Sequence, residues 1–146
     1  MDEEILKKLE ALVAGVDFYV TNLANAAALI FEEFEDVSWA GFYILDGGVL
    51  KLGPFQGKVA CVEIPLSKGV CGKAAREEKT VIVENVHEFA GHIACDSRSN
   101  SEIVVPIFKD KKLFGVIDLD SEKYARFGKE DAKILEKIAE IIEKTL

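Results

Sequence analysis

The sequence predicts an α+β domain: an antiparallel sheet with helices from both ends of the chain packed on one face. Three observations predict it. Apolar residues recur at helical spacing near both termini. The middle of the chain holds short apolar runs separated by turn signals. The chain is 146 residues long, the size of one domain.

Ile5, Leu6, Leu9, Leu12, Val13 and Val16 repeat at spacings of three and four. Asp2, Glu3 and Glu4 precede them, where the helix dipole favours negative charge. A second helix is expected over residues 19–34, with Leu23, Ala26, Ala27, Ile30 and Phe34 on one side and Thr21 or Asn22 available as its cap. Gly15 or Val16-Asp17 separates the two helices. Residues 39–45 read as a strand and 49–54 as its return, because Asp46-Gly47-Gly48 supplies the positive φ of a hairpin turn. Residues 61–65 alternate as a short strand, 69–78 form a helix entered through Ser67-Lys68-Gly69, and 81–83 form another short strand.

An irregular segment over 84–101 follows, holding both histidines and one cysteine; a connection of that length is often functional. Residues 103–108 and 112–120 make a second hairpin around Lys109-Asp110-Lys111. A last helix over 128–144 presents Ile134, Leu135, Ile138, Ile141 and Ile142 on one face. Each terminal helix has a single apolar stripe, which places both on the same sheet face. The middle loops then cover the other face and enclose a pocket.

Composition narrows the function. With 26 acidic and 18 basic residues the formal charge is −8, so the chain lacks the attraction to phosphate that nucleic-acid binding needs. The same charge argues against anionic membrane surfaces. No apolar run approaches the ~20 residues of a membrane span, and the acidic start lacks a signal-peptide pattern. The expected location is the cytoplasm, and the expected partners are small molecules or proteins.

Three cysteines do not make a disulfide framework in that compartment. Cys61, Cys71 and Cys95 stand 10 and 24 residues apart, so no CxxC motif is present. Cys71, between Val70 and Gly72, suits a small core residue. Cys95 lies on a polar loop, where a thiol is more reactive. His87, His92 and Cys95 have spacings that a metal site can use, although they match no standard finger or ribbon. Loop histidines with structural hydrogen bonds are the plainer reading.

Asp118 and Asp120 share one strand face, because side chains alternate with period two. Two carboxylates so placed repel unless a cation lies between them: a metal, a lysine or a ligand ammonium. Asp120 alone also suits a cap on the following turn. Glu102 stands at the start of the neighbouring strand. Trp39, Phe42 and Tyr43 cluster around Gly41 and suit either core packing or the aromatic wall of a ligand pocket.

These residues resemble those of the free methionine-(R)-sulfoxide reductases, which are single GAF domains. The matching strings are Ser38-Trp39-Ala40-Gly41-Phe42-Tyr43, Leu52-Gly53-Pro54-Phe55-Gln56-Gly57-Lys58, Gly69-Val70-Cys71-Gly72 and Val86-His87-Glu88-Phe89. Further along they are Gly91-His92-Ile93-Ala94-Cys95-Asp96, Ser99-Asn100-Ser101-Glu102-Ile103-Val104-Val105-Pro106 and Gly115-Val116-Ile117-Asp118-Leu119-Asp120-Ser121. The match spans roughly two-thirds of the chain, and the cysteines within the strings are its most specific part.

The resemblance implies a single domain over residues 1–146 that reduces free L-methionine-(R)-sulfoxide to methionine. It makes Cys95 the nucleophile, Cys61 the resolving cysteine that closes a Cys61–Cys95 disulfide, and Cys71 a third cysteine able to enter exchange. It implies thioredoxin as reductant, a homodimer, and neither cofactor nor metal. It maps the family's carboxylates onto Glu102, Asp118 and Asp120. The chemistry agrees with this map. A sulfoxide needs its oxygen protonated or hydrogen-bonded, a role for Glu102. Asp118 and Asp120 suit the substrate ammonium, while Trp39 and Tyr43 suit its apolar chain.

Two other classes compete. Many GAF domains bind small ligands and catalyse nothing, usually beside an effector domain for which this length leaves no room. A zinc hydrolase would use His87, His92 and Cys95. A reductase shows cycling thiols and no bound metal, a sensor binds its ligand unchanged with serine at all three cysteines, and a zinc enzyme loses activity to a chelator.

Overall fold

The periodic N-terminal segment becomes α1 (Asp2–Val13) and the next becomes α2 (Tyr19–Glu33). The computed structural model describes residues 2–93 and 98–146. The strands are β1 (Trp39–Asp46), β2 (Val49–Gln56), β3 (Glu63–Pro65), β4 (Val81–Val83), β5 (Ser101–Lys109) and β6 (Lys112–Ser121). Helix α3 (Gly69–Glu77) lies between β3 and β4, a short 3-10 turn covers Val86–Glu88, and α4 (Lys129–Glu143) follows β6. The strands form one sheet in the order β3-β2-β1-β6-β5-β4, with every neighbouring pair antiparallel. The α+β architecture is the expected one.

Both hairpins turn through two left-handed residues. Gly47 and Gly48 have φ of 62° and 80°, and Asp110 and Lys111 have φ of 51° and 66°. Such turns match the twist of the strands they join. Lys109 and Lys112 pair across the second turn, so its loop is shorter than the sequence suggests.

Helices α1, α2 and α4 cover one sheet face. Ile5, Leu9, Leu23, Ile30, Leu135 and Ile138 pack there on Phe42, Ile103, Ile117 and Leu119. Each of these is nearly or wholly removed from water, and burying one such side chain contributes about 1.5–3 kcal/mol. The opposite face carries Trp39, Tyr43, Ile64, Val104 and Val116 and packs under α3. Both terminal helices therefore lie on one face, as expected, and the middle of the chain covers the other. Among the described residues no helix is long and apolar enough to cross a membrane.

Local details differ from the sequence reading. Neither Thr21 nor Asn22 caps α2; Phe18 is its N-cap residue, without a side-chain bond. Asn22 lies one turn inside, buried, and its Nδ2 donates to Val16 O at 3.0 Å, tying down the connection from α1. Cys61 stands outside the sheet, because β3 begins at Glu63. The aromatic cluster divides between the two faces: Phe42 joins the helix-side core, while Trp39 and Tyr43 point the other way. Strand alternation forces that split.

Candidate active site

The floor of the site is the central part of the sheet. Asp118 on β6 pairs with Gly41 on β1 and with Val104 on β5. Two residues on, Asp120 pairs with Trp39 and with Glu102. Register therefore places Trp39, Gly41, Tyr43, Glu102, Asp118 and Asp120 on one face. All of them except Gly41 line one small cavity.

The aromatic wall depends on Gly41. Phe55, its partner on β2, stacks on Trp39 with ring centroids 5.1 Å apart, and Trp39 stacks on Tyr43 at 6.0 Å. A Cβ at position 41 would stand 2.3 Å from Phe55 Cβ and 2.8 Å from Trp39 Cη2. Gly41→Ala is expected to cost about 1–3 kcal/mol by overpacking. Chemical unfolding followed by Trp39 fluorescence measures it; an unchanged midpoint would mean that the stack yields freely.

The roof comes from α3, whose first turn supplies Val70 and Cys71 to the cavity. Gly69 has φ of 74°, and its N–H donates to Gly91 O at 2.9 Å. That bond fastens the start of α3 to the segment that delivers His92 and Ile93 to the wall. Cys71 is a free, buried thiol, and its Sγ lies 3.9 Å from Glu102 Oε2. Cys61 is half-buried and already bonded in a disulfide. Cys95, the expected nucleophile, lies outside the described residues.

Three acidic groups in so small a volume change one another's ionisation. Glu102 is 8 % exposed and Asp118 is 5 % exposed. Burial pushes the Glu102 carboxyl well above the usual range, and the negative charges of Asp118 and Asp120 push it further. Burial also raises Asp118, although hydrogen bonds to Glu102, Asp120 and Cys71 pull it partly back. The Cys71 thiol is pushed up by burial and then by Asp118 and Glu102. The same causes, burial and then Asp118, raise the Tyr43 hydroxyl. These groups hold their protons where exposed counterparts release them. Of the groups lining the cavity, Asp118 has a buried atom, Oδ1, with no hydrogen-bond partner among the described residues.

The histidines behave otherwise. His87 Nε2 donates to Asn100 Oδ1 at 2.7 Å, outside the cavity. His92 faces the cavity, its basicity lowered by burial and by His87. Among the described residues, the group close enough to share a cation is Cys71, Glu102 and Asp118, with ligand atoms within 4.8 Å of one another. It contains neither histidine.

Every expected catalytic or substrate-binding residue within the described part borders the cavity, apart from Cys61, whose chain neighbour Ala60 lines it. Phe55 and Ser99 were not singled out for the site, and His92 was considered only as a metal ligand. Phe55 backs Trp39, and His92 and buried Ser99 line the wall. Phe55 reaches the site through its pairing with Gly41 across β1 and β2, which no local pattern reports.

Comparison with known proteins places these features in a family. The GAF domain family matches residues 20–146. Free methionine-R-sulfoxide reductase of Escherichia coli (strain K12) is 46% identical over 143 residues, covering 98% of this chain and 87% of that protein. The structure of fRMsr of Staphylococcus aureus in its reduced form superposes with a TM-score of 0.96 at 47% identity, covering 99% of this chain and 94% of that one. Free methionine-R-sulfoxide reductase from Neisseria meningitidis in complex with its substrate gives a TM-score of 0.95 at 46% identity, over 98% of this chain and 86% of that one.

Proposed function

Because the chain belongs to the free methionine-R-sulfoxide reductases, oxidoreductases built on a GAF domain, we propose that it reduces free L-methionine-(R)-sulfoxide to L-methionine. The observation that carries this reading is the cavity floor, where proton-holding Glu102 stands beside Asp118 and Asp120 beneath an aromatic wall.

The Cys95 thiolate attacks the sulfoxide sulfur and forms an S–S bond, while Glu102 delivers a proton to the sulfoxide oxygen. The protonated oxygen then transfers from the substrate sulfur to the Cys95 sulfur as that S–S bond breaks; the bonding pair leaves with methionine, and Cys95 is left as a sulfenic acid. The Cys61 thiol then displaces that oxygen as water and forms a disulfide. A dithiol reductant, thioredoxin in this reading, reduces the disulfide and restores both thiols. Two facts support Cys61 in this role: it is disulfide-bonded here, and Cys71 is free. Asp118 and Asp120 hold the substrate ammonium, and Trp39 and Tyr43 flank its apolar chain. Cys71 is held protonated by burial and then by its acidic neighbours, and acts as a reserve thiol. We further read residues 1–146 as one domain that works as a homodimer in the cytoplasm.

The test is methionine release from each epimer of free methionine sulfoxide, with dithiothreitol or thioredoxin as reductant. The R epimer is expected to turn over and the S epimer not, with a chelator changing nothing. No turnover with either reductant would replace the reductase with a ligand-binding module. Loss of activity on chelation would point to metal chemistry.

A further inference from the structure

The segment that carries Cys61 is held by the pocket wall. Residues 57–62 form neither helix nor strand. Val59 and Val62 within it are 88% and 73% exposed. The sheet grips this segment through two aromatic tips. Trp39 Nε1 donates to Lys58 O at 2.9 Å, and Tyr43 Oη donates to Cys61 O at 2.9 Å. Both rings are almost fully buried, stacked on each other, and rooted in β1. Gly57 lets the chain pass close to Trp39, since a Cβ there would stand 2.7 Å from Trp39 Cδ1.

We propose that Tyr43, assisted by Trp39, is a positioning residue for the resolving cysteine. Its hydroxyl bond to the Cys61 carbonyl holds that thiol within reach of the sulfenic acid. This rests on the reading that Cys61 resolves. The bond is intrinsically suited to the task. Buried Tyr43 keeps its proton, so the hydroxyl remains a donor throughout the cycle. The carbonyl belongs to Cys61 itself, so few rotatable bonds separate the anchor from the sulfur. Holding reactants in place is worth most where one of them lies on an otherwise irregular segment.

Because Tyr43 also lines the substrate pocket, the resolution step must be observed without substrate. Hydrogen peroxide does this: it oxidises the nucleophilic thiol to a sulfenic acid and releases water, and the disulfide then forms as in the catalytic cycle. Reduced wild type, Tyr43→Phe and Trp39→Phe would each be pulsed with hydrogen peroxide. Disulfide formation would be followed by mass spectrometry, and surviving sulfenic acid would be trapped with dimedone. Tyr43→Phe keeps the ring and its stacking and removes the hydroxyl alone. Losing one hydrogen bond is expected to slow disulfide closure about tenfold, with a matching rise in dimedone adduct. Trp39→Phe should slow it in the same direction. Closure at the wild-type rate in Tyr43→Phe would overturn the proposal.

Cys61→Ser separates the two levels of inference. It should abolish closure at this site; if closure persists unchanged, Cys61 is not the resolving thiol and the reading beneath the proposal fails. Should Tyr43→Phe misfold, its circular dichroism and unfolding midpoint would reveal it. Trp39→Phe would then carry the decision, with wild-type closure in that variant overturning the proposal.

Discussion

Glu102→Gln is expected to lower methionine release at neutral pH by about 100- to 10,000-fold, the range over which a positioned general acid contributes. The glutamine amide can still hydrogen-bond the sulfoxide oxygen, yet it has no proton to transfer. Glu102 is suited to that transfer by its surroundings: burial first, then the charges of Asp118 and Asp120, hold its proton above the pH at which an ordinary glutamate has lost it. The wild-type rate should therefore fall as pH rises through the Glu102 value, and this limb should be missing in the variant. Cys95→Ser provides the floor for comparison, because without the thiolate no sulfenic acid forms. A Glu102→Gln rate within tenfold of wild type, with the alkaline limb retained, would move the acid role to another group.

How much of this was legible in the sequence depends on the range of each interaction. Features decided within a few residues were readable. The stripe of Ile134, Leu135, Ile138 and Ile142 made α4, and Asp46-Gly47-Gly48 made a hairpin. Strand alternation put Asp118 and Asp120 on one face before any register was known. The same alternation should have separated Phe42 from Tyr43, and grouping them as one cluster overlooked it.

What the sequence could not show depends on contacts between distant segments. That Glu102 stands beside Asp120, and not a residue higher or lower, is a matter of β5–β6 register. The expectation that Glu102 serves the site came from family resemblance. The hydrogen bond from Tyr43 to Cys61 spans 18 residues, and no periodicity reports it. Asn22 misled for a related reason. Its type favours a cap, but Val16 O offered a buried partner and the helix began earlier, at Tyr19.

Asp118→Asn carries the second large effect, and it acts in opposite directions on binding and on stability. In the proposed complex the substrate ammonium bonds the Asp118 carboxylate, whose Oδ1 is buried and lacks a partner among the described residues. Removing one member of a buried ion pair costs about 3–5 kcal/mol. A KM increase of roughly 150- to 5,000-fold is therefore expected, with kcat affected less. The pH dependence has a definite sign. Burial raises the Asp118 carboxyl in the folded chain, so below that value the substrate must compete with a proton. Affinity for the sulfoxide should improve as pH rises through it.

Stability runs the other way. A carboxyl raised on folding binds its proton more tightly in the folded state, so stability falls as pH climbs from the ordinary carboxylate value to the raised one. Above that window the charged group is a burden that asparagine does not carry. Asp118→Asn without substrate should unfold at higher urea than wild type at alkaline pH, with a flatter profile between acid and neutral pH. Urea titrations across pH, paired with KM measurements, test both halves. A variant that lost stability at alkaline pH while keeping its KM would make Asp118 a structural acid satisfied by its neighbours. The expected pattern, tighter folding bought with weaker binding, is that of a residue kept under strain for its ligand.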